Sequence, residues 1–139
     1  MLDKDILCAT DLTPVSDKAV QAAQAIAERI AAGVTLMHVM ERKEQQEPVL
    51  AEMAQQVQRT GATVHIEHKL LDGDLMKRMA EETEHGHSLL VLGTHGPRGL
   101  RQNLFGADIL KLVRHAAIPT LVVQEGMNLP SLLNRIVMP

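Results

Sequence analysis

Glycine residues recur in the segment that follows the short apolar run Leu89–Leu92. Gly93, Gly96 and Gly99 are spaced three residues apart, and a helical pattern begins directly after Gly106. A strand, a glycine-rich loop and a helix in this order leave backbone N–H groups that face an anion. Glycine suits such a loop because it has no Cβ to block a close approach. The segment therefore predicts a crevice for a phosphorylated compound, with a nucleotide as the first candidate.

Two other apolar runs also end at polar residues. Ile6–Ala9 stops at Thr10-Asp11, and a second run stops at Met40-Glu41. Because ligands of parallel α/β sheets bind beyond the carboxyl ends of the strands, these ends and Gly93-Thr94 are expected to converge on one crevice.

The elements that must position these residues alternate between strand and helix patterns. The predicted strands are Ile6–Ala9, Val34–Met40, Thr63–Leu70, Leu89–Leu92 and Ile118–Val123. The predicted helices run from an N-cap at Ser16 to a stop at Gly33, from Pro48 to Gly61, from Leu75 to the turn His85–His87, and from Ala107 to Ala116. This alternation predicts an α/β fold, an open five-stranded, mostly parallel sheet with helices on both faces. The alternating pattern of Thr63–Leu70 predicts a sheet-edge or half-buried strand.

Composition excludes several classes of function. The 139 residues suit one domain, and at 45% hydrophobic and 22% charged residues the chain can bury a core. Phe105 is the only aromatic residue and the net charge is −3, so we expect no nucleic-acid partner. No apolar run approaches a membrane span and no secretory signal is visible. With a single cysteine, Cys8, a cytoplasmic protein is expected.

These motifs together resemble the universal stress protein family, over residues 5–124. The matching segments are Ile6–Ala9 with Thr10-Asp11, His38-Val39, Gly93-Thr94-His95-Gly96 followed after nine residues by Gly106, Gly99-Leu100 inside that gap, and Arg114–Val123. The resemblance implies the open five-stranded fold of the adenine nucleotide alpha hydrolase-like proteins. It also implies dimerisation, often through the last strand, and binding of ATP (with Mg²⁺) or AMP in some members of the family.

The resemblance also implies a set of site residues. Asp11 and Val39 would lie beside the adenine and ribose, and Gly106 would open the helix that faces the phosphates. The remaining residues expected to line the site, from the strand ends, the glycine loop and the first helical turn, are Ala9, Thr10, Leu92, Gly93, His95, Gly96, Arg98, Gly99, Ala107 and Asp108.

Three positions depart from the pattern of the nucleotide binders. Ala107 stands where those members place Ser or Thr, which removes a hydroxyl donor to phosphate. Asp108 adds a carboxylate that repels phosphate, and Ala9 replaces the usual proline. Two functions therefore stay open: a nucleotide-binding module for stress response or signalling, and a dimerisation module with a degenerate phosphate site. An enzyme is not expected beyond a slow ATPase, because only Asp11 offers an oxygen ligand for Mg²⁺.

Other candidate residues have simpler interpretations. His38 is expected to be a satisfied core residue, and Cys8 to pack as a small apolar side chain. Asp11 has a second interpretation, as a turn residue at the entry to the first helix. His85 and His87 flank Gly86 and are interpreted as a solvated loop rather than metal ligands.

The chain continues after the fifth strand. We expect residues 1–125 to form the domain and residues 126–139 to form a linker and a tail strand. Leu133–Pro139 resembles the first strand and ends on the proline that the family uses before Thr-Asp. The tail therefore predicts either the start of a second such domain, giving a pseudo-dimer, or a strand that pairs across a homodimer.

Overall fold

A computed structural model describes residues 5–40, 46–61, 64–94 and 106–124 of the chain. Within these residues, five parallel strands form one sheet in the order β3-β2-β1-β4-β5. The strands are β1 (Ile6–Ala9), β2 (Val34–Met40), β3 (Ile66–Asp72), β4 (Leu89–Thr94) and β5 (Thr120–Gln124). The helices are α1 (Pro14–Arg29), α2 (Gln46–Thr60), α3 (Leu75–Glu82) and α4 (Gly106–His115). The predicted α/β architecture is confirmed.

The two faces of the sheet carry separate apolar cores. Side chains alternate along a strand, so Ile6 and Cys8 of β1 point to one face while Leu7 points to the other. The first face packs against α1 and α2, and the second packs against α3 and α4. β1 and β2 are covered on both sides, which explains their continuous apolar runs.

The sheet order changes direction at its centre. The chain passes from β1 outward to β3, then returns across the sheet to β4 and moves outward again to β5. β1 and β4 are therefore neighbours although most of the first half of the chain lies between them, and Ala9 pairs with Leu92. A reversal of this kind leaves a crevice between the carboxyl ends of the two central strands.

Helix α1 does not have the predicted boundaries. It begins at Pro14, whose fixed φ suits the first helical turn, so Ser16 lies inside the helix and is not its N-cap. The helix ends at Arg29, because Ala31 takes the left-handed conformation with φ 57 and the Ala32 N–H donates to the Ala27 carbonyl. The expected stop at Gly33 was wrong.

Gly33 serves a different purpose. A Cβ built on Gly33 would lie 3.0 Å from the carbonyl oxygen of His65, which accepts a hydrogen bond from the Val34 N–H. The close approach of two backbones at the start of β2 therefore favours a glycine.

Strand β3 also differs from its prediction. It runs from Ile66 to Asp72, later than the predicted Thr63–Leu70, because Val34–Met40 of β2 pairs with these residues along its whole length. Its place at the edge of the sheet is as expected. Gly73 turns the chain with φ 121, and Asp74 caps α3 by accepting a hydrogen bond from the Lys77 N–H.

The remaining boundaries agree with the patterns to within a few residues. Gly61 follows α2 with φ 135, and α4 begins one residue before its prediction. The tail 126–139, and with it the two predictions for a further domain or a pairing strand, lies outside the described residues. Among the helices that the structure describes, none is long and apolar enough to cross a membrane.

Candidate functional site

The carboxyl ends of β1 and β4 bring together five of the residues expected at the site. They surround a small cavity of about 20 Å³ between the sheet and the beginning of α3. Its lining consists of Ala9, Thr10, Asp11, Ser16, Leu75, Met79, Leu92 and Gly93. A cavity of this size holds about one water molecule. The ends of β1 and β4 and the first turn of α1 thus meet around a narrow space, whereas the end of β2, which was expected to join them, does not line it.

The carboxylate of Asp11 organises the start of α1. Its Oδ1 accepts hydrogen bonds from the Thr13 N–H, at 3.0 Å, from the Thr13 hydroxyl and from the Ser16 hydroxyl. The Asp11 N–H donates in return to the Ser16 hydroxyl oxygen, at 3.2 Å. Among the described residues, none donates to Oδ2. Asp11 is therefore a helix-entry residue through its Oδ1.

The backbone directly after Asp11 is unusual. Leu12 has φ 66, in the left-handed region that a leucine rarely adopts. The Leu12 N–H donates to the Thr10 hydroxyl oxygen at 3.0 Å, so the side chain of Thr10 closes a tight turn around Asp11. Such conformations persist where surrounding contacts fix them.

Thr10 is anchored from the second helix, by a residue that the sequence analysis did not single out. Its hydroxyl donates to Oε1 of Gln56 at 2.7 Å, and Gln56 is fully buried on α2. The amide of Gln56 donates to Asp17 at 2.9 Å, and Arg59 makes two contacts of 3.0 Å with the same carboxylate. The sequence did carry a signal for Gln56: it is a polar residue on the helix face that Val49, Met53 and Val57 mark as buried.

Strand β2 contributes His38 and Val39. His38 is buried and its Nδ1 lies 2.8 Å from the Thr10 carbonyl oxygen, so it is a satisfied core residue, as expected. Val39 does not line the cavity between β1 and β4. Because Ala9 pairs with Met37, Val39 lies two residues further toward the carboxyl edge, packed in the same core cluster as Met79 and Leu92.

The phosphate end of the predicted site is described only in part. His95, Gly96, Arg98 and Gly99 lie outside the described residues. Gly106, Ala107 and Asp108 form the first turn of α4, in agreement with a helix that opens at Gly106. The side chains of Ala107 and Asp108 lie outside the described part of the chain as well.

A second polar cluster lies at the opposite, amino edge of the sheet. His87 is buried, with Nδ1 hydrogen bonded to Asp5 and Nε2 at 3.0 Å from Glu82. Asp5 also accepts from the hydroxyl of Thr35, and Glu82 accepts from Lys69 at 2.9 Å. The interpretation of His87 as part of a solvated loop was wrong, because its ring bridges two carboxylates beneath a groove of about 600 Å³. His85, by contrast, is exposed.

Glu82 is the most strongly held carboxylate of this cluster. Burial raises its pKa, but hydrogen bonds from His87 and Lys69 and the nearby charges of Lys69 and His85 outweigh burial, so the pKa lies below its ordinary value. Among the residues that the structure describes, no group of three His, Cys, Asp or Glu side chains could hold a metal ion. The cluster connects the amino ends of the strands to the end of α3.

The domain is a doubly wound α/β domain, because its open parallel sheet reverses its chain order between β1 and β4. A polar turn and a glycine lie at the carboxyl ends of these two strands. The profile of the universal stress protein family matches residues 4–124, and the chain belongs to this family. No curated protein sequence matches the chain.

Solved structures share the fold at low sequence identity. A universal stress protein in complex with cAMP is 20% identical, with a TM-score of 0.69 over 89% of this chain and 99% of that one. A universal stress protein from Archaeoglobus fulgidus in complex with dAMP is 15% identical, with a TM-score of 0.66 over 89% and 100% of the two chains. The universal stress protein UspA from Lactobacillus plantarum is 21% identical, with a TM-score of 0.66 over 89% and 99%.

Proposed function

We propose that this chain binds an adenine nucleotide, ATP or AMP, at the crevice between β1 and β4 and acts as a stress-response or signalling module. The observation that carries the proposal is the convergence of Thr10, Asp11 and Gly93 at the point where the sheet order reverses. Two structural neighbours are complexes with adenine nucleotides, one with cAMP and one with dAMP, which supports this choice of ligand.

The residues present offer complementary groups for each end of such a ligand. Oδ2 of Asp11, to which no described residue donates, is available for a ribose hydroxyl or for Mg²⁺ bound with ATP. Gly93 has no side chain to obstruct a ligand over the end of β4, and the N–H groups at the beginning of α4 favour an anion. The cavity of about 20 Å³ is much smaller than a nucleotide, so binding requires the crevice to widen.

The second candidate function is a dimerisation module whose phosphate site is degenerate. It is favoured by the narrow cavity and by the engagement of Asp11 Oδ1 with Thr13 and Ser16. It is also favoured by Ala107, which stands in place of a hydroxyl residue, and by the carboxylate of Asp108 in the same helical turn. β5 is an edge strand, and a second copy of the chain would pair with it to form the homodimer.

Ligand retention and titration distinguish the two candidates. The purified chain is denatured and the supernatant assayed for released adenine nucleotide; the refolded chain is then titrated with AMP, ATP and ATP with Mg²⁺ in a calorimeter. Released nucleotide, or a dissociation constant below about 1 mM, supports nucleotide binding. No nucleotide and no heat of binding at that concentration leave the dimerisation module, whose mass in sedimentation equilibrium is then twice that of the chain.

Substitutions in the first turn of α4 locate the phosphate end. Ala107→Ser restores a hydroxyl donor, and one added hydrogen bond of about 1 kcal/mol tightens binding about fivefold. Asp108→Asn removes a repelling carboxylate and acts in the same direction. Val113→Ser, at an exposed position two turns further along α4, is the matched control and leaves affinity unchanged. Equal affinities for all four proteins would place the phosphates elsewhere.

A further inference from the structure

We infer that Gln56, on the buried face of α2, is a positioning residue for the crevice, because it orients the Thr10 hydroxyl and thereby holds the turn that presents Asp11. The inference rests on the proposed nucleotide site. Gln56 does not line the cavity between β1 and β4, so its effect on a ligand is transmitted through Thr10.

The Thr10 hydroxyl makes two different hydrogen bonds, and they depend on each other. Its one proton is donated to Oε1 of Gln56 at 2.7 Å, and its oxygen accepts from the Leu12 N–H at 3.0 Å. A threonine hydroxyl can rotate about its C–O bond, so a fixed acceptor is needed to direct the proton away from Leu12. Gln56 supplies that acceptor from a fully buried position.

The orientation of the Gln56 amide is itself determined by α1. Its Nε2 donates to Asp17 at 2.9 Å, which places the amide nitrogen toward α1 and leaves the oxygen toward Thr10. Asp17 stays a strong acceptor because Arg59 contacts both of its carboxylate oxygens at 3.0 Å. The Thr60 hydroxyl donates to the Gln56 backbone carbonyl at 2.6 Å and fixes the same turn of α2.

The turn needs such support because Leu12 is held at φ 66. A non-glycine residue in this region is strained, and the strain is retained only where neighbouring contacts enforce it. The Leu12 N–H donates to the Thr10 hydroxyl oxygen, and Asp11 lies directly between the two residues. Relaxation of Leu12 would therefore loosen the turn that presents Asp11.

Gln56→Met tests the inference, since methionine keeps the length and volume of the side chain and removes both hydrogen bonds. We expect adenine nucleotide affinity to fall about tenfold, equivalent to about 1.4 kcal/mol. Gln55→Met is the matched control, because Gln55 is the exposed neighbour on the same helix, and it leaves affinity unchanged.

Gln56→Glu separates the positioning role from simple packing. The glutamate still accepts from Thr10, but its second oxygen faces the carboxylate of Asp17 and repels it until one of the two is protonated. Because the acceptor for the Thr10 hydroxyl is kept, this variant should bind nucleotide more tightly than Gln56→Met. A packing role alone predicts the opposite order, because a buried repelling charge disturbs the contact between the helices more than methionine does.

The outcomes separate the two proposals. If the parent chain binds nucleotide and both Gln56 variants bind it as tightly as the parent, or Gln56→Glu binds it more weakly than Gln56→Met, the positioning role is overturned and the proposed function stands. If the parent chain binds no nucleotide, the proposed function fails, and hydrogen exchange of the ligand-free proteins decides the inference. Faster exchange of the Leu12 and Thr13 amides in Gln56→Met than in Gln55→Met supports it, and equal rates overturn it.

Discussion

Replacement of Glu82 by glutamine tests the polar cluster at the amino edge of the sheet. The Glu82 side chain is 4% exposed and accepts from Lys69 at 2.9 Å, contacts His87 Nε2 at 3.0 Å and pairs with His85 at 3.2 Å. Glu82→Gln preserves the shape of the side chain but removes its charge and replaces one acceptor with a donor. Lys69 then loses its counter-charge, and the buried ring of His87 loses a charged acceptor.

The expected loss of stability follows from these contacts. Removal of one partner from a fully buried ion pair costs about 3–5 kcal/mol. Lys69 and His85 are 39% and 57% exposed, so solvent compensates part of the loss. We therefore expect Glu82→Gln to lower the free energy of unfolding at pH 7 by about 2–3 kcal/mol. Glu81→Gln is the matched control, because Glu81 is 45% exposed and pairs only with Arg78 among the described residues. Its replacement should lower the free energy of unfolding by less than about 1 kcal/mol.

The pH dependence gives the sharper test. The pKa of Glu82 is lower in the folded protein than in the unfolded chain, so its contribution is present above the ordinary carboxyl pKa of about 4.3 and disappears as the pH falls through the lower, folded value. We would measure the unfolding free energies of the parent and Glu82→Gln proteins in urea from about pH 5.5 downward, below the ordinary titration of imidazole. The difference between the two proteins then reports the Glu82 carboxyl. The difference between their unfolding free energies should shrink as the pH falls. A difference that stays constant to the lowest pH, or one no larger than that of Glu81→Gln, would refute the account of the cluster.

Two further predictions concern the cores on either side of the sheet. Burial raises the pKa of the Cys8 thiol to about 12. Native protein at pH 8 should therefore not react with iodoacetamide, whereas urea-unfolded protein should react fully. Rapid labelling of the native state would contradict this prediction and show that β1 is accessible. Met79 of α3 is fully buried in the core cluster that also contains Met37 and Leu92, so Met79→Ala should lower the free energy of unfolding by about 2–5 kcal/mol in urea titrations. Met76→Ala, at a partly buried position, should cost less, and equal losses would contradict the packing of α3.

The order and type of the elements could be predicted from the sequence because the apolar periodicities are strong. β1, β2 and β4 are short apolar runs buried on both faces, and no helix of comparable length would account for them. The ends of elements were harder to predict. Ala31 takes the left-handed conformation that a glycine was expected to supply, and Gly33 instead lies where the backbone of His65 comes close.

For the candidate site, the strand ends that meet could be predicted, but the buried side chains that support them could not. The sheet topology brings Asp11 and Gly93 together, which follows from the alternation of strands and helices. Gln56 and His87 could not be assigned, because their partners are distant in sequence: Gln56 contacts Thr10 and His87 contacts Asp5. A buried polar residue in a periodic pattern indicates that a partner exists, but only the packed structure identifies it.

The central claim is that the carboxyl edge between β1 and β4 receives the adenine nucleotide. Amide chemical shifts of the isotopically labelled chain, followed during titration with AMP and with ATP and Mg²⁺, test it most directly. The account predicts saturable changes at Thr10, Asp11 and Gly93, with the amides of Asp5 and His87 at the opposite edge unchanged. Changes confined to the Asp5 and His87 edge, or no changes at millimolar nucleotide, would contradict it.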